Sequence, residues 1–369
     1  MKPIFFGFIG AASVIVVALL ALAIFQIVLL LRREEKEPVL PFVQPKGKES
    51  ASFSLKIQDR GRVFLFNEVE DVSEGFSNHI GDGTTYLVFK GILKDGTEVA
   101  IKRMRDNLVM ASSEAAKFHL QVDLLYRVHH QHIVNLVGYC DQKPHRMLLC
   151  QYAPNGSLDE TLHGEIKDEL LTWKQRLRIA MGIAYGLCYL HHSCNPPIIH
   201  GELTSVNILL TEDFAAKITG LGKVPLLRAM SELQSNGSYM SSEDAKFEQR
   251  RLFSRADDVY SFGVIVLELL SGRTAYSDET GRLADWAMPF LTNKEQMMGF
   301  IDSSLKNVQS LEFCAICEIA RLCIQQESTS RPAMTDVLEM LLQVSNISVE
   351  VAAPISSPVT LRGLMAAFG

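Results

Sequence analysis

The stretch Ile198–Gly222, IIHGELTSVNILLTEDFAAKITGLG, decides how the rest of the chain is read. It carries a histidine, His200, then an acid two residues on, Glu202, an amide, Asn207, and at its end Gly220-Leu221-Gly222. Immediately before it, LTWKQRLRIAMGIAYGLCYLHH places Leu177, Ile179, Ile183, Leu187 and Leu190 at helical spacing. That pattern predicts a long buried helix leading into the quoted stretch.

Bulk properties narrow the choice of function. A chain of 369 residues is long enough for one folded domain with a sizeable core, plus appendages. A net charge of -6 offers no broad basic field, so nucleic acid is not expected as a partner. The seven Cys are scattered and do not form a disulfide framework. Cys314 and Cys317 make a C-x-x-C, but within LEFCAICEIARLCI, whose apolar pattern predicts a buried helix rather than a redox or zinc site.

Toward the N-terminus, Ile4–Leu31 is a run of 28 residues without a charge, interrupted only by Ser13 and Gln26. As a helix it would span about 42 Å, enough to cross a bilayer with some tilt. A cleaved signal peptide would have a shorter apolar core, about 7–15 residues, so the run is read as a retained anchor. Arg32, Arg33 and Lys36 lie downstream against Lys2 upstream, which places the C-terminal part in the cytosol. Residues 1–3 are then a stub with no ectodomain. Residues 32–61, with Pro38, Pro41 and Pro45, read as a juxtamembrane linker. Asn155, Asn236 and Asn346 open N-x-S sequons that a cytosolic domain would leave unmodified.

The quoted stretch resembles the catalytic core of a protein kinase, in which H-R-D-L-x-x-x-N is followed by D-F-G. His200, Leu203 and Asn207 keep their places. Gly201 stands for the Arg, Glu202 for the catalytic Asp, and Gly220-Leu221-Gly222 for Asp-Phe-Gly. Upstream, Gly81-Asp82-Gly83-Thr84-Thr85-Tyr86 resembles the glycine-rich loop, with Tyr86 for its third glycine, and Val99-Ala100-Ile101-Lys102 resembles V-A-I-K. HHQHIVNLVGYC and RMLLCQYAPNGSLDETLHG follow the plant receptor-like kinase pattern closely. Downstream, Tyr239–Glu243 is similar to the end of an activation segment, and Asp258–Gly263 to the start of the central helix of the larger lobe. Ser330-Arg331-Pro332 supplies the arginine that the family pairs with the Glu243 position.

Over residues 62–345 the resemblance implies an α+β, bilobal protein-kinase fold behind one transmembrane helix. The small β-rich N-lobe is expected to run to about residue 152 and the large helical C-lobe over 153–345, with 346–369 a flexible tail. It implies a nucleotide site in which Gly81 and Gly83 cover phosphate and Lys102 pairs the α and β phosphates. The backbones of Gln151 and Ala153 would meet adenine, Cys150 would lie behind the pocket, and Asn207 would hold one ion.

The departures from the family are chemical. Gln121 takes the place of the helix Glu that pairs with the lysine, and a neutral amide can hydrogen-bond Lys102 but not hold it as an ion pair. Gly220 removes the metal carboxylate, Thr204 the loop lysine, Gly201 the arginine that reads a phosphorylated segment, and Tyr86 crowds the phosphates. Glu202 keeps a carboxylate at the base position but about 1.5 Å displaced, and misplacement on that scale can cost about a hundredfold. No metal site, weak ATP binding and poor Mg²⁺ binding are therefore expected. The implied function is a single-pass plasma-membrane pseudokinase, a scaffold or allosteric partner of active receptor kinases or their cytosolic substrates. Two rivals are a weak or unorthodox serine/threonine kinase using Lys102, Asn207 and Glu202, and a receptor remnant with little function.

Overall fold

A computed structural model describes residues 62–106, 112–164, 170–222, 254–293, 295–345 and 349–354. All belong to one unit, residues 57–369. Among them no helix is long and apolar enough to cross a membrane; the span expected at 4–31 lies outside the described residues, as do the linker 32–61 and Tyr239–Glu243.

The N-lobe is a six-stranded sheet: β1 (Arg62–Val63), β2 (His79–Asp82), β3 (Tyr86–Ile92), β4 (Glu98–Met104), β5 (Leu136–Gln142) and β6 (His145–Gln151), in spatial order β1-β5-β6-β4-β3-β2. All pairings are antiparallel except β1 with β5. Helix α1 (Phe66–Val72) precedes β2, and helix α2 (Ser112–Arg127) follows β4. In the β3–β4 ladder Tyr86 faces Met104 and Val88 faces Lys102. Side chains two apart on a strand share a face, so Tyr86 and Lys102 project from the same side of the sheet. There Tyr86 packs on a buried cluster that includes Met104, Phe118, Val122 and Leu148.

The larger lobe is helical: α3 (Leu158–His163), α4 (Trp173–Cys188), α5 (Arg255–Ser271), α6 (Leu283–Thr292), α7 (Ser310–Cys323) and α8 (Met334–Val344). Helix α4 is the one anticipated from LTWKQRLRIAMGIAYGLCYLHH. Thr172 caps it, its N–H donating to Gln175 Oε1 at 2.8 Å while its hydroxyl accepts from Gln175 N. Leu177, Ile179, Ile183 and Leu187 are buried, each contributing roughly 1.5–3 kcal/mol. Helix α5 buries more than half of its residues and ends on Gly272 at φ 67°, the left-handed cap that glycine adopts without penalty. The C-x-x-C lies on α7, where Cys317 is buried and free, and burial pushes its thiol far above the ordinary range.

The packed chain runs past residue 345, where the tail was expected to begin. Helix α9 (Val349–Ala352) lies against α4, with Ala352 buried, and Arg178 of α4 donates from Nε to Val351 O and from Nη2 to Ala353 O. One arginine fork thus holds the connection after α8 to the lobe.

Candidate functional site

Between α4 and α5 the chain forms a π-helical turn, Tyr189–Ser193, and the loop His200–Asn207, before the short strand pair β7 (Ile208–Leu210) and β8 (Ala216–Ile218). Asp258, buried on the first turn of α5, holds this loop. Its carboxylate accepts from the backbone N–H of His200 and of Gly201, each at 2.8 Å, and bonds His191 Nε2 at 2.8 Å. His200 is also buried, and its two nitrogens fix its tautomer. Nδ1 accepts from Glu202 N at 3.2 Å, so Nε2 carries the proton that goes to Thr219 O at 2.8 Å. Burial first of all holds its pKa below the usual value, consistent with a neutral ring.

The loop therefore braces the segment on which the metal carboxylate of a kinase would sit. At that place Gly220 has φ +86°, and a Cβ built on it would lie 2.9 Å from Asn207 Oδ1 and 3.0 Å from Asn207 Cγ. Asn207 is itself tied, donating from Nδ2 to Glu202 O at 2.8 Å. The position has lost its carboxylate, and the space a side chain would enter is bordered by the Asn207 amide. These residues do not fit Mg²⁺, which favours carboxylate oxygens at near-octahedral geometry.

Lys102 behaves differently from the expectation. Its ammonium donates to Thr219 Oγ1 at 3.1 Å, and Gln121 does not bond it. Gln121 instead accepts from the Tyr86 hydroxyl at 2.8 Å and donates from Nε2 to Leu221 O at 3.2 Å. An amide has an acceptor and a donor end, and both find partners richer in complementarity than a cation that can use only one. The Gly83 N–H, expected on phosphate, donates to Tyr86 O at 2.8 Å, and Gly83 O accepts from Arg105 Nε at 2.9 Å. Gly81 lies on β2 paired with Val88. Gln151 ends β6, its N–H on Asn135 O at 3.0 Å, and Ala153 follows it, buried. A cavity of about 20 Å³ remains between Lys102, Gln121, Cys150, Thr219, Gly220 and Leu221, room for one water. Cys150 is among the residues that line it.

A second group, Asp159, His163 and Glu268, brings its ligand atoms within 4.8 Å. Ser205 donates to Asp159 Oδ1 or Glu268 Oε1 at 3.1 and 3.0 Å, and His163 Nε2 is 3.3 Å from Glu268 Oε1. It is a self-satisfied network joining α3, the loop and α5. Sequence reasoning missed Thr219, the Tyr86–Gln121 bond and the role of Asp258, although the bulk of Tyr86 had marked the first position as unusual.

A family model described as protein tyrosine and serine/threonine kinase matches residues 75–341. The chain belongs to the protein kinase family. Within it, the kinase domain is of the plant receptor-like type. It is 37% identical over 299 residues to Protein MALE DISCOVERER 2 of Arabidopsis thaliana, covering 79% of this chain and 42% of that protein. With the proline-rich receptor-like protein kinase PERK8 of the same plant it shares 34% identity over 311 residues, 79% of this chain and 44% of the relative. The chain thus spans about two fifths of the length of these relatives. The solved apo structure of the GRMZM2G135359 pseudokinase is similar with a TM-score of 0.62 and 28% identity, over 78% of this chain and 98% of that one.

Proposed function

We propose that this kinase domain is a pseudokinase that works by holding other proteins and does not transfer phosphate. Gly220 carries the reading: it has no side chain to supply the metal carboxylate on which phosphoryl transfer depends, and a Cβ at its φ of +86° would stand 2.9 Å from Asn207 Oδ1. Similarity to a protein described as a pseudokinase supports it. So does the pairing of Lys102 with a neutral hydroxyl, where an active kinase holds its lysine on a carboxylate. ATP binding is weak and gains little from Mg²⁺. The uncharged run Ile4–Leu31 supports a membrane anchor with the lobes on the cytosolic side, beside active receptor kinases or their substrates as partners. Retention of Lys102, Asn207 and an acid at Glu202 favours a second reading, a weak serine/threonine kinase.

The test is phosphate incorporation by the purified full-length chain with labelled Mg-ATP. No incorporation is expected into itself or a generic substrate, and incorporation abolished by Lys102→Met overturns the proposal. In cells lacking the native protein, Lys102→Met at matched level is expected to restore whatever the wild type restores. Failure of that folded variant favours the second reading.

A further inference from the structure

Tyr86, Gln121 and Leu221 belong to three parts of the molecule that move relative to one another in a working kinase: the glycine-loop strand β3, helix α2 and the segment after β8. Here one chain of hydrogen bonds joins them, from the Tyr86 hydroxyl to Gln121 Oε1 and from Gln121 Nε2 to Leu221 O. The phenol hydroxyl is enclosed, and burial raises its pKa far above the ordinary value, so it stays a neutral donor. Gln121 also packs at the turn beyond Gly220, where a Cβ on Gly222 would lie 3.2 Å from Gln121 Cγ. Tyr86 shares the sheet face of Lys102, and its own carbonyl takes up the Gly83 N–H.

We propose that Tyr86 and Gln121 form an internal clasp that closes the phosphate end of the cleft and fixes β3, α2 and the Leu221 segment without nucleotide. In a nucleotide-dependent kinase the ligand itself bridges the glycine loop to the lysine and the metal segment. In this chain the phenol ring packs on the sheet face that carries Lys102, and the amide ties helix to segment. A triphosphate then meets a closed state and binds only in the fraction of molecules whose clasp is open. The inference rests on the reading of the cleft as a failed nucleotide site. Phosphate transfer by the wild type would overturn that reading, whereas the binding results below judge the clasp alone.

The full-length chain is compared with Tyr86→Gly, which restores the third glycine of the loop, and with Gln121→Leu, which removes both bonds and leaves the strand backbone untouched. Binding of a fluorescent ATP analogue is titrated in EDTA, and amide hydrogen exchange is followed over residues 79–92, 112–127 and 219–222. Tyr86→Gly is expected to bind the analogue at least about tenfold more tightly, equivalent to about 1.4 kcal/mol. Gln121→Leu is expected to speed exchange in all three segments together, since each loses its tie to the others. A cooperatively melting Tyr86→Gly variant whose affinity stays within about twofold of wild type (under about 0.5 kcal/mol) overturns the proposal. So does unchanged exchange in Gln121→Leu, which decides the matter if Tyr86→Gly fails to fold.

Discussion

Replacing Gly220 by aspartate restores the one side chain whose loss most clearly separates this chain from an active kinase, and the structure says the repair fails twice. The new Cβ would enter at φ +86°, where most L residues cost about 1–2 kcal/mol relative to glycine and aspartate, which tolerates this region better, costs less. It would also stand 2.9 Å from Asn207 Oδ1 and 3.2 Å from Asn207 Nδ2, so the amide must move and its 2.8 Å bond to Glu202 O must stretch or break, about 0.5–1.5 kcal/mol more. The sum is about 1–3 kcal/mol, a fall in melting temperature on the order of 2–5 °C for a domain of this size. Gly220→Ala is expected to lose a similar amount, because the cost lies in the Cβ and the backbone. Catalysis stays absent in Gly220→Asp, since residues that act as a unit are non-additive and Lys102 still lacks a carboxylate partner on α2. Differential scanning fluorimetry of the three proteins measures the first claim, and labelled phosphate incorporation the second. A Gly220→Asp protein that melts with the wild type and turns over Mg-ATP in a Lys102-dependent way refutes the steric argument and the pseudokinase reading together.

Two further outcomes follow from buried charges. Lys217 is 1% exposed and its Nζ has no hydrogen-bond partner among the described residues; burial pulls its pKa down to about 8, with Asp213 opposing. The folded state binds its proton less tightly than the unfolded chain, so the penalty is full below pH 8 and fades as pH rises toward the unfolded value near 10.5. Lys217→Met is thus expected to raise stability at pH 7 by about 1–3 kcal/mol, an advantage that shrinks between pH 8 and 10.5; urea unfolding at both ends of that range checks it, and an advantage independent of pH would contradict it. Arg331 donates to the carbonyls of Gln325, Ala256 and Gln326, stacks over Tyr260 at 4.9 Å and lies 3.6 Å from Asp257. The partner expected for it, Glu243, is outside the described residues. Arg331→Ala is expected to cost about 3 kcal/mol through these stranded carbonyls, with Arg331→Lys recovering little, because a lysine cannot reproduce the planar fork. Equal melting temperatures for the lysine variant and the wild type would show that charge alone suffices.

The architecture was legible along the chain because its signals are local. Apolar residues of α4 recur every three or four positions, Thr172 and Gln175 sit at capping-box spacing, and the ordered kinase-like motifs mark β4, the loop and α5 in turn. The end of the packed chain was not legible, because Val349–Ala352 is held by Arg178, more than 170 positions away. The cleft was half legible. Residue identity alone was enough to expect a missing metal carboxylate at Gly220 and a neutral amide at Gln121. It was silent on what those residues do instead. Glycine is compatible with nearly any φ, so its presence cannot announce the +86° that presses the backbone on Asn207. An amide can donate or accept, so Gln121 fitted Lys102 as well as it fits Tyr86 and Leu221, 35 and 100 positions away. Only packing, which sets which polar groups stand within 3 Å of one another, chose between them. Periodicity is a property of neighbours in the chain, whereas the choice of a hydrogen-bond partner belongs to neighbours in space.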